Sequence, residues 1–474
     1  MTATPDPRED EPTAGLVEKL TSLAKRRGFI FQSSEIYGGI NAIYDFGPLG
    51  VALRRNIRSL WWRHMVELRH DVVGLESGII MHPRVWEASG HVQTFHDPLV
   101  ECRNCHGRFR ADHLKPVAEV ELEDAQLGPE ARKALKSGKL DATRPMCPNC
   151  GAQDFSEERQ FNLMFKTYLG PVQDSAAQVY LRPETAQGMF VQFQNVLNST
   201  RKKIPFGIGQ VGKSFRNEIS PGNYIFRLRE FEQMEMEFFV KPGTDEQWFS
   251  YWLDERFRWW RDVLGVKAEN LRLRPHAEDE LSHYAKAAQD VEYLYPFGWQ
   301  ELEGIANRTN FDLSRHSEFS GRDLSYFDEE TKERYIPYVI EPAMGIDRCM
   351  FTLMLDAYDE EDVRGEKRVV LRFHPDVAPI QVAVLPLSKN EQLLPTSREV
   401  EEALRPYFRI EYDETQSIGR RYRRHDEIGT PYAVTIDFDT LNDHAVTIRE
   451  RDSMEQVRVP IEALVSELQG RFKH

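Results

Sequence analysis

Two polar strings joined by a turn combine the residue types that a nucleotide site needs. The first string ends in Arg216-Asn-Glu218, and the turn Pro221-Gly222-Asn223 leads to a returning strand that starts at Arg227. A period of two puts Arg216 and Glu218 on the same face of a strand. Arginine binds phosphate oxygens through its planar fork, whereas a carboxylate binds an ammonium or amino group. The pair therefore indicates a site for a phosphorylated ligand.

The returning strand separates into an apolar face and a polar face. Met234, Met236 and Phe238 alternate with Arg227, Phe231, Gln233 and Glu235. The apolar set predicts contact with a core, because neighbouring residues of a strand point to opposite sides of the sheet. On the polar set, Phe231 suits a nucleotide base and Glu235 suits an ammonium group. From this pattern alone, a solvated sheet face with ion pairs remains an alternative.

Three further stretches place charged residues beside small ones. A strand ending at Glu341 turns through Pro342 and Gly345 and enters a helix whose first turns carry Arg348. The free N–H groups and the dipole of a helix N-terminus favour a phosphate there. The other two stretches, Tyr180–Gly188 and residues 301–311, bring acids and arginines next to residues that permit close backbone approach.

Four of the five cysteines form two Cys-x2-Cys pairs, Cys102/Cys105 and Cys147/Cys150. Four thiolates in two such pairs are typical of tetrahedral zinc, and a site with all four positions filled is structural rather than catalytic. Disulfides are disfavoured because the cytosol keeps thiols reduced. Redox chemistry or plain packing remains open as an alternative. Cys349 lies in an apolar helical run and is expected to be a core residue.

Composition limits the class of protein. The 474 residues carry 61 basic and 76 acidic side chains, a formal charge of −15, and 41% are hydrophobic. These values indicate a globular chain of two to four domains, and the acidic balance argues against indiscriminate coating of nucleic acid. No apolar run reaches membrane-spanning length. The polar, proline-rich Met1–Glu11 resembles neither a signal nor a transit peptide, so we expect a cytoplasmic protein with a frayed leader.

The chemistry-bearing stretches need a scaffold, and the apolar periodicity predicts one. Spacings of three and four from Leu49 to Leu68 predict a long helix with Pro48 at its first position. Val72 to Met81 predicts a strand closed by Pro83. Residues 106–146 have the composition of a charged surface insertion. From His374 onward, predicted strands at 381–386 and 433–437 and a hairpin-like pair at 445–459 alternate with helices at 391–407 and 460–472, which indicates a separate α/β domain.

Several of these strings resemble known motifs. Phe215-Arg216-Asn-Glu218 followed by Arg227-x-x-x-Phe231 resembles the second signature motif of class II aminoacyl-tRNA synthetases, and Gly345-Ile-Asp347-Arg348 resembles the third. The helix and strand that end at Pro83 resemble the first. Further strings resemble the dimeric glycyl-tRNA synthetase family: Tyr44–Gly50, Arg182–Gly188, His316–Gly321 and Gly419–Pro431.

The resemblance implies an α+β fold. A class II synthetase antiparallel sheet flanked by helices would occupy residues 1–100 and 156–371, interrupted by a zinc-ribbon-like insertion at 101–155. A C-terminal α/β anticodon-binding domain would occupy 372–474. The helix of the first motif would contribute to a homodimer interface.

The resemblance also implies the activity of a glycine–tRNA ligase. Glycine's carboxylate would attack the α-phosphorus of ATP, and the glycyl group would then pass to the terminal ribose of tRNA(Gly). Charge stabilisation and alignment would carry the catalysis. The implied catalytic residues are Arg216, Glu218 and Arg348, with Glu301 as a Mg²⁺ ligand. The implied ATP-binding residues are Arg216, Asn217, Glu218, Phe226, Arg227, Phe231, Glu301, Leu302, Gly345, Asp347 and Arg348.

Glycine's ammonium would lie among Glu184, Glu235 and Glu341, and Arg308 would meet its carboxylate. The implied glycine-binding residues are Arg110, Glu184, Phe231, Gln233, Glu235, Arg308, Glu341 and Gly345. Because glycine is the smallest amino acid, a filled pocket rejects competitors by overlap. The sequence departs from the family at Ala343, where serine is frequent, and at Asn310, where an acid is expected.

Two points stay open at the level of sequence. The basic run Arg420–Arg424 is a candidate tRNA-facing patch, although such runs are often solvated faces. A catalytically silent, synthetase-like nucleic-acid-binding accessory protein is an alternative to the active ligase, as is a class II ligase for serine or threonine. The intact arginines and acids favour the active ligase, with glycine and ATP as its substrates.

Overall fold

A computed structural model describes residues 15–122, 127–171, 173–174 and 176–472. The segment that we interpret as a leader, Met1–Glu11, lies outside these residues. A seven-stranded sheet forms the centre of the molecule. Its strands are antiparallel except the last, which runs parallel to its neighbour. In spatial order they are Leu271–Pro275, Ala287–Tyr295, Gly298–Thr309, Tyr338–Gly345, Glu230–Val240, Phe206–Phe215 and Val72–Gly74.

The long hairpin of this sheet, Phe206–Phe215 with Glu230–Val240, has the predicted two faces. Met234, Met236 and Phe238 are fully buried in the main core, whereas Gln233 and Glu235 face a cavity. The strands end sooner than predicted, because Arg216 follows the last strand residue and the return starts at Glu230. The period-two argument for Arg216 and Glu218 is therefore wrong, since both lie in the connecting loop.

Helices cover the sheet. The predicted long helix is present as Pro48–Trp62 with a final turn at Arg63–Glu67, and Pro48 occupies its first turn. Leu53, Ile57 and Trp61 bury its apolar stripe. Further helices are Leu16–Arg27, Pro83–Ala88, His91–Thr94, Ala186–Val191, Phe193–Thr200, Asp245–Arg258, Phe311–Ser320 and Ile346–Ala357.

Two strand predictions need correction. The strand expected at 72–81 stops at Gly74, and the N–H of Ser77 donates to the side chain of Gln210 at 2.5 Å rather than to a neighbouring strand. The strand expected to end at Glu341 continues to Gly345. Pro342 removes one N–H from the ladder without ending it, because residues on both sides of it stay paired.

The insertion contains a three-stranded sheet of His96–Glu101, Arg108–Arg110 and Arg159–Asn162, and a helix, Pro129–Lys136. A small core of Leu127, Ala131 and Met146 holds that helix against the second cysteine pair. Four two-stranded ribbons complete the catalytic body: Ile30–Gln32 with Tyr44–Phe46, Lys166–Tyr168 with Gln178–Tyr180, Tyr326–Phe327 with Arg334–Tyr335, and Tyr358–Val363 with Glu366–Leu371.

The C-terminal domain has its own five-stranded mixed sheet and its own core. In spatial order the strands are Ile410–Tyr412, Val382–Pro386, Tyr432–Ile436, Ala445–Glu450 and Gln456–Pro460. The helices are Leu394–Leu404, Ile418–Ile428, Thr440–Asp443 and Leu464–Arg471. Sequence reasoning missed Ile410–Tyr412 and Ile418–Ile428.

A buried ion pair between Arg368 and Asp426 joins this domain to the rest of the chain. Asp426, on the helix Ile418–Ile428, accepts from Arg368 of the last catalytic ribbon at 2.8 Å and from Arg449 at 2.9 Å. Arg451 donates to the backbone of Phe373 at 2.9 Å. All of these charged side chains are almost completely shielded from solvent. Within the described part of the chain, no helix combines the length and apolar character that crossing a membrane requires.

Candidate active site

A cavity of about 300 Å³ opens over the polar face of the long hairpin. Strands of the central sheet, the loop after Arg182 and the start of the helix Ile346–Ala357 supply its walls. Most residues predicted for ATP and glycine line it: Glu184, Arg216, Phe231, Gln233, Glu235, Glu301, Leu302, Arg308, Glu341, Gly345, Asp347 and Arg348.

Arg216 stands at one side of this cavity. Its Nε donates to the carbonyl of Pro183 at 3.0 Å, and its guanidinium carbon lies 5.3 Å from the centre of the Phe231 ring. Neither Nη atom donates to another described residue. One edge of the guanidinium is thus anchored while the other is free to bind an anion, beside an aromatic surface that suits a base.

Arg348 is held on the opposite side. It donates to the carbonyl of Glu301 at 2.8 Å, forms an ion pair with the Glu301 carboxylate at 3.2 Å, and lies 4.2 Å over the Phe226 ring. Burial raises the pKa of Glu301, but the charge and hydrogen bond of Arg348, together with the charges of Arg216 and Arg227, leave that pKa below its ordinary value. The helix that carries Arg348 starts at Ile346, as predicted.

A second acid, Asp290, faces Glu301 and was missed from the sequence. A side-chain oxygen of each lies 3.7 Å from the point where a Cβ on Gly304 would stand, so the two carboxylates meet around a glycine. Burial and the charge of Glu301 raise the pKa of Asp290 to about 6, and His276 bonds it at 2.8 Å. Hard carboxylate oxygens of this kind suit Mg²⁺.

Asp347 reaches the cavity, but its carboxylate is occupied. It accepts from Arg54 of the helix Pro48–Trp62 and from the backbone N–H of Glu232 at 3.0 Å. Arg54 also binds the Glu232 carboxylate at 2.9 Å. The geometry assigns Asp347 to fixing the third motif onto the hairpin, and its predicted contact with ATP stays a prediction.

Three buried carboxylates form the deep end of the cavity. Glu235 accepts from the N–H of Thr185 at 3.0 Å and from Gln233 at 2.5 Å. Glu184 faces His91 at 3.3 Å. Burial, with the charges of Glu341 and Glu184, raises the pKa of Glu235 to about 8. His91 and neighbouring donors instead hold the pKa of Glu184 below its usual range, against the effect of burial. An acidic pocket of this kind favours a cationic group.

Arg308 lines the cavity, but its guanidinium is already paired with two acids. It donates to both oxygens of Glu341 at 2.9 and 3.0 Å and to both oxygens of Asp312 at 2.8 and 2.9 Å, and it is 2% exposed. All three guanidinium nitrogens are engaged and one hydrogen on Nη2 remains, so the predicted contact with glycine's carboxylate stays a prediction. Asn310, where an acid was expected, occupies the N-cap position of the helix Phe311–Ser320 without a side-chain capping hydrogen bond, and Asp312 lies in the first turn of that helix.

Some predicted residues lie elsewhere. Arg110 lines a neighbouring cavity of about 530 Å³ together with Phe226 and Arg227, and it forms ion pairs with Asp97 at 3.0 Å and Asp112 at 2.7 Å. The structure does not bring Arg110 together with the acidic pocket. The loop residues Asn217 and Glu218 also stand outside the lining of the first cavity. The two cavities share a wall where Arg348 covers Phe226.

The four paired cysteines converge. Their sulfur atoms all lie within 4.8 Å of one another, with Cys102–Cys150 at 3.7 Å and Cys105–Cys147 at 3.6 Å. These separations exceed a disulfide bond, whereas a tetrahedron of thiolates about 2.3 Å from zinc has edges of about 3.8 Å. The donor set therefore fits a tetrahedral metal. Cys349 is buried in the main core, as expected.

Two of the four arginines in the basic run make structural contacts. Arg421 is fully buried and donates to the carbonyls of Pro386 and Asp413 at 2.6 and 2.8 Å. Arg424 forms an ion pair with Asp413. Arg420 is exposed and Arg423 is partly exposed, so these two arginines stay candidates for contact with a tRNA.

Family comparisons agree with this architecture. The chain matches the tRNA synthetase class II core domain (G, H, P, S and T) over residues 165–358 and an anticodon binding domain over 381–471. A crystal structure of prolyl-tRNA synthetase from Cryptosporidium parvum has a TM-score of 0.63 at 15% identity, covering 98% of this chain and 80% of that one. Fold and site together define a class II tRNA synthetase, which confirms the predicted fold class.

Relatives that match over nearly the whole chain identify the family within the class II tRNA synthetases. A glycine–tRNA ligase of Thermobifida fusca is 55% identical over 465 residues, covering 96% of this chain and 98% of the relative. One from Acetivibrio thermocellus is 55% identical over 460 residues, with the same shares. One from Caldanaerobacter subterraneus is 53% identical over 467 residues, covering 98% and 100%. The chain belongs to the glycine–tRNA ligase family.

Proposed function

We propose that the chain activates glycine with ATP and transfers the glycyl group to the 3′ end of tRNA(Gly). The proposal rests on one cavity that contains both halves of the site. On one side, Arg216 has Nη atoms that are unpaired within the described residues and lies beside the ring of Phe231. On the other side lies a pocket of three buried carboxylates. Those two halves suit a nucleotide phosphate and an ammonium group. Their juxtaposition is what a reaction between ATP and an amino acid requires.

In the first step, glycine's carboxylate oxygen attacks the α-phosphorus, and the bond to pyrophosphate breaks. Arg216, with its free Nη edge towards the cavity, stabilises the charge that grows on the α-phosphate. Phe231 stacks on adenine, and Arg348 binds an outer phosphate from the helix N-terminus. Arg227, Asn217 and Glu218, on the loop, stay proposed ATP contacts that require this loop to close over the nucleotide.

Mg²⁺ fits the oxygen donors around Gly304. Glu301 is half exposed and Asp290 lies beside it, so these two carboxylates would hold the ion. When bound, the ion neutralises charge on the phosphates.

The acidic pocket recognises glycine. Glu184, Glu235 and Glu341 surround the ammonium, and the buried position of all three strengthens the attraction. The side chain of any other amino acid would need space that the packed strands fill. Selection therefore depends on overlap, and alanine and serine are expected to be activated far more weakly than glycine.

The remaining partners are proposals from surface features. Arg108, Arg110, His113 and Arg227 give the second cavity a basic character next to the loop 219–223, which suits the acceptor end of a tRNA. Val51 and Leu68, 55% and 61% exposed on the first-motif helix and just after it, support a homodimer interface. The cluster of four cysteines is proposed to hold structural Zn²⁺, and the substrates ATP and tRNA are consistent with a cytoplasmic location.

The test is glycine-dependent exchange of pyrophosphate into ATP by purified, zinc-loaded protein, with alanine and serine compared in the same assay. Exchange with glycine alone is expected, and its absence rejects the proposal. Arg216→Ala should lower the exchange rate by roughly 10²–10³-fold, about 3–4 kcal/mol of barrier, as for removal of an oxyanion donor. The exposed Arg322 offers a matched control, because Arg322→Ala removes the same side chain away from the cavity.

A further inference from the structure

A buried amide connects two arms of the acidic pocket. Gln187, fully buried on the helix Ala186–Val191, donates from Nε2 to Glu184 at 3.0 Å and to Asp312 at 2.9 Å. An amide nitrogen has two hydrogens, and both are used here on carboxylates. Gln187 is a glutamine of the Arg182–Gly188 motif for which the reaction described above has no role.

His316 fixes the direction of this amide. Its Nε2 lies 2.7 Å from Oε1 of Gln187. Because an amide oxygen only accepts, the imidazole must carry hydrogen on Nε2. Turning the amide over would direct its oxygen at two carboxylates, so the observed orientation is strongly favoured, and with it the imidazole tautomer that donates from Nε2. His316 belongs to the His316–Gly321 string, the second motif that the proposed reaction leaves unused.

The hydrogen bonds form one continuous chain through the pocket. Glu184 bonds to Gln187, Gln187 to Asp312, Asp312 to Arg308 and Arg308 to Glu341, at 2.8–3.0 Å. Thr185, adjacent to Glu184, donates its N–H to Glu235 at 3.0 Å. All three carboxylates that face the ammonium are therefore fixed relative to one another.

We propose that Gln187, oriented by His316, is a positioning residue for the amino-acid ammonium, because its two donations lock Glu184 to the Asp312–Arg308–Glu341 arm. The proposal rests on the proposed binding of glycine in this pocket. Without Gln187, the Glu184 carboxylate is free to rotate and two donor bonds to charged oxygens are lost. The ammonium is bound both before and during the reaction. Removing Gln187 should therefore weaken the binding of glycine in the ground state and in the transition state by the same factor.

The decisive measurement is steady-state pyrophosphate exchange by Gln187→Met, which keeps the length of the side chain and removes both donors. We expect the KM for glycine to rise roughly tenfold or more, while kcat and the KM for ATP stay within about threefold of the parent. Gln194 supplies the matched control. It also donates through Nε2, to the carbonyl of Ser325 at 2.8 Å, but on the next helix and outside the cavity. Gln194→Met should leave the KM for glycine unchanged.

A pair of variants at His316 tests the same idea with Gln187 in place. His316→Gln keeps an N–H donor of similar reach and should restore most of the glycine affinity that His316→Leu loses. This pair decides the matter if Gln187→Met does not fold.

The possible results distinguish the role of Gln187, the role of His316 and the proposed function. An unchanged KM for glycine in folded Gln187→Met overturns the positioning role, and so does an equal loss of ATP affinity, which would indicate general damage. Equal behaviour of the two His316 variants overturns the part assigned to His316. A parent protein without glycine-dependent exchange refutes the proposed function instead.

Discussion

The environment of Glu237 leads us to predict that the conservative substitution Glu237→Gln stabilises the protein. It lies two residues after Glu235 on the same face of the hairpin, and it is fully buried with no hydrogen-bond partner for either carboxylate oxygen among the described residues. The pairing of Glu235 with Ala343 and of Phe238 with Ile340 aligns it with Glu341 across the strands. Two opposed, buried carboxylates cannot both ionise cheaply, so we expect Glu237 to stay protonated.

The raised pKa of Glu237 makes the stability of the folded state depend on pH. Burial, and then the charge of Glu341, raises the pKa of Glu237 well above its ordinary 4.5. In the unfolded chain the group ionises near that ordinary value, so the native state loses about 1.4 kcal/mol of stability for each pH unit above it until the native carboxyl ionises. The stability is complete at low pH and falls as pH rises. The loss continues to grow with pH for as long as the native carboxyl stays protonated.

Glu237→Gln removes the titration and should therefore stabilise the protein. The gain should widen as pH rises above the ordinary carboxyl range, by at most about 1.4 kcal/mol for each pH unit. Urea unfolding followed by tryptophan fluorescence measures it, because all eight tryptophans precede residue 300 and report on the catalytic body. Glu278→Gln, at an exposed site, is the control. A stability difference that does not change with pH, or that narrows as pH rises, refutes the reasoning.

Three other predictions follow from the site. Arg308→Met should destabilise the catalytic body by about 3–5 kcal/mol in urea, since Glu341 and Asp312 lose a shared buried partner, and a loss below about 1 kcal/mol would contradict the geometry. Cys147→Ser should reduce bound zinc, measured by metal analysis, well below the parent value, whereas Cys349→Ala should not. Because Glu235 has a pKa of about 8 and binds an ammonium only when ionised, the KM for glycine should fall roughly five- to tenfold between pH 7 and 8.5, and a flat profile argues against its role.

The sequence was informative where one local rule decided the outcome. The alternation of Met234 and Met236 with Gln233 and Glu235 follows from strand geometry, and the cysteine pairs follow from the spacing that a metal imposes. The start of the helix that carries Arg348 follows from Gly345 and the apolar run after it. These features needed no knowledge of distant partners.

Long-range pairing was not predictable in the same way. Whether Arg308 meets a substrate or an acid depends on Asp312, four residues further along the chain, and on Glu341 in another strand. Arg110 was expected at the glycine site, but the insertion that carries it folds against a different cavity. From the sequence, Arg421 belongs to a basic run of the kind that usually faces solvent. In the structure it is buried and donates to the carbonyl of Pro386 in the C-terminal sheet. In each case the deciding contact is set by the tertiary fold.

The buried ion pair between Arg368 and Asp426 restricts the relative motion of the two domains. Pulling the two domains apart would leave Arg368 and Asp426 as buried charges without each other, at a penalty of about 3–5 kcal/mol. The C-terminal unit should accordingly move with the catalytic body rather than swing on a hinge. Such a rigid joint would keep the anticodon-binding domain at a constant distance from the cavity of the central sheet.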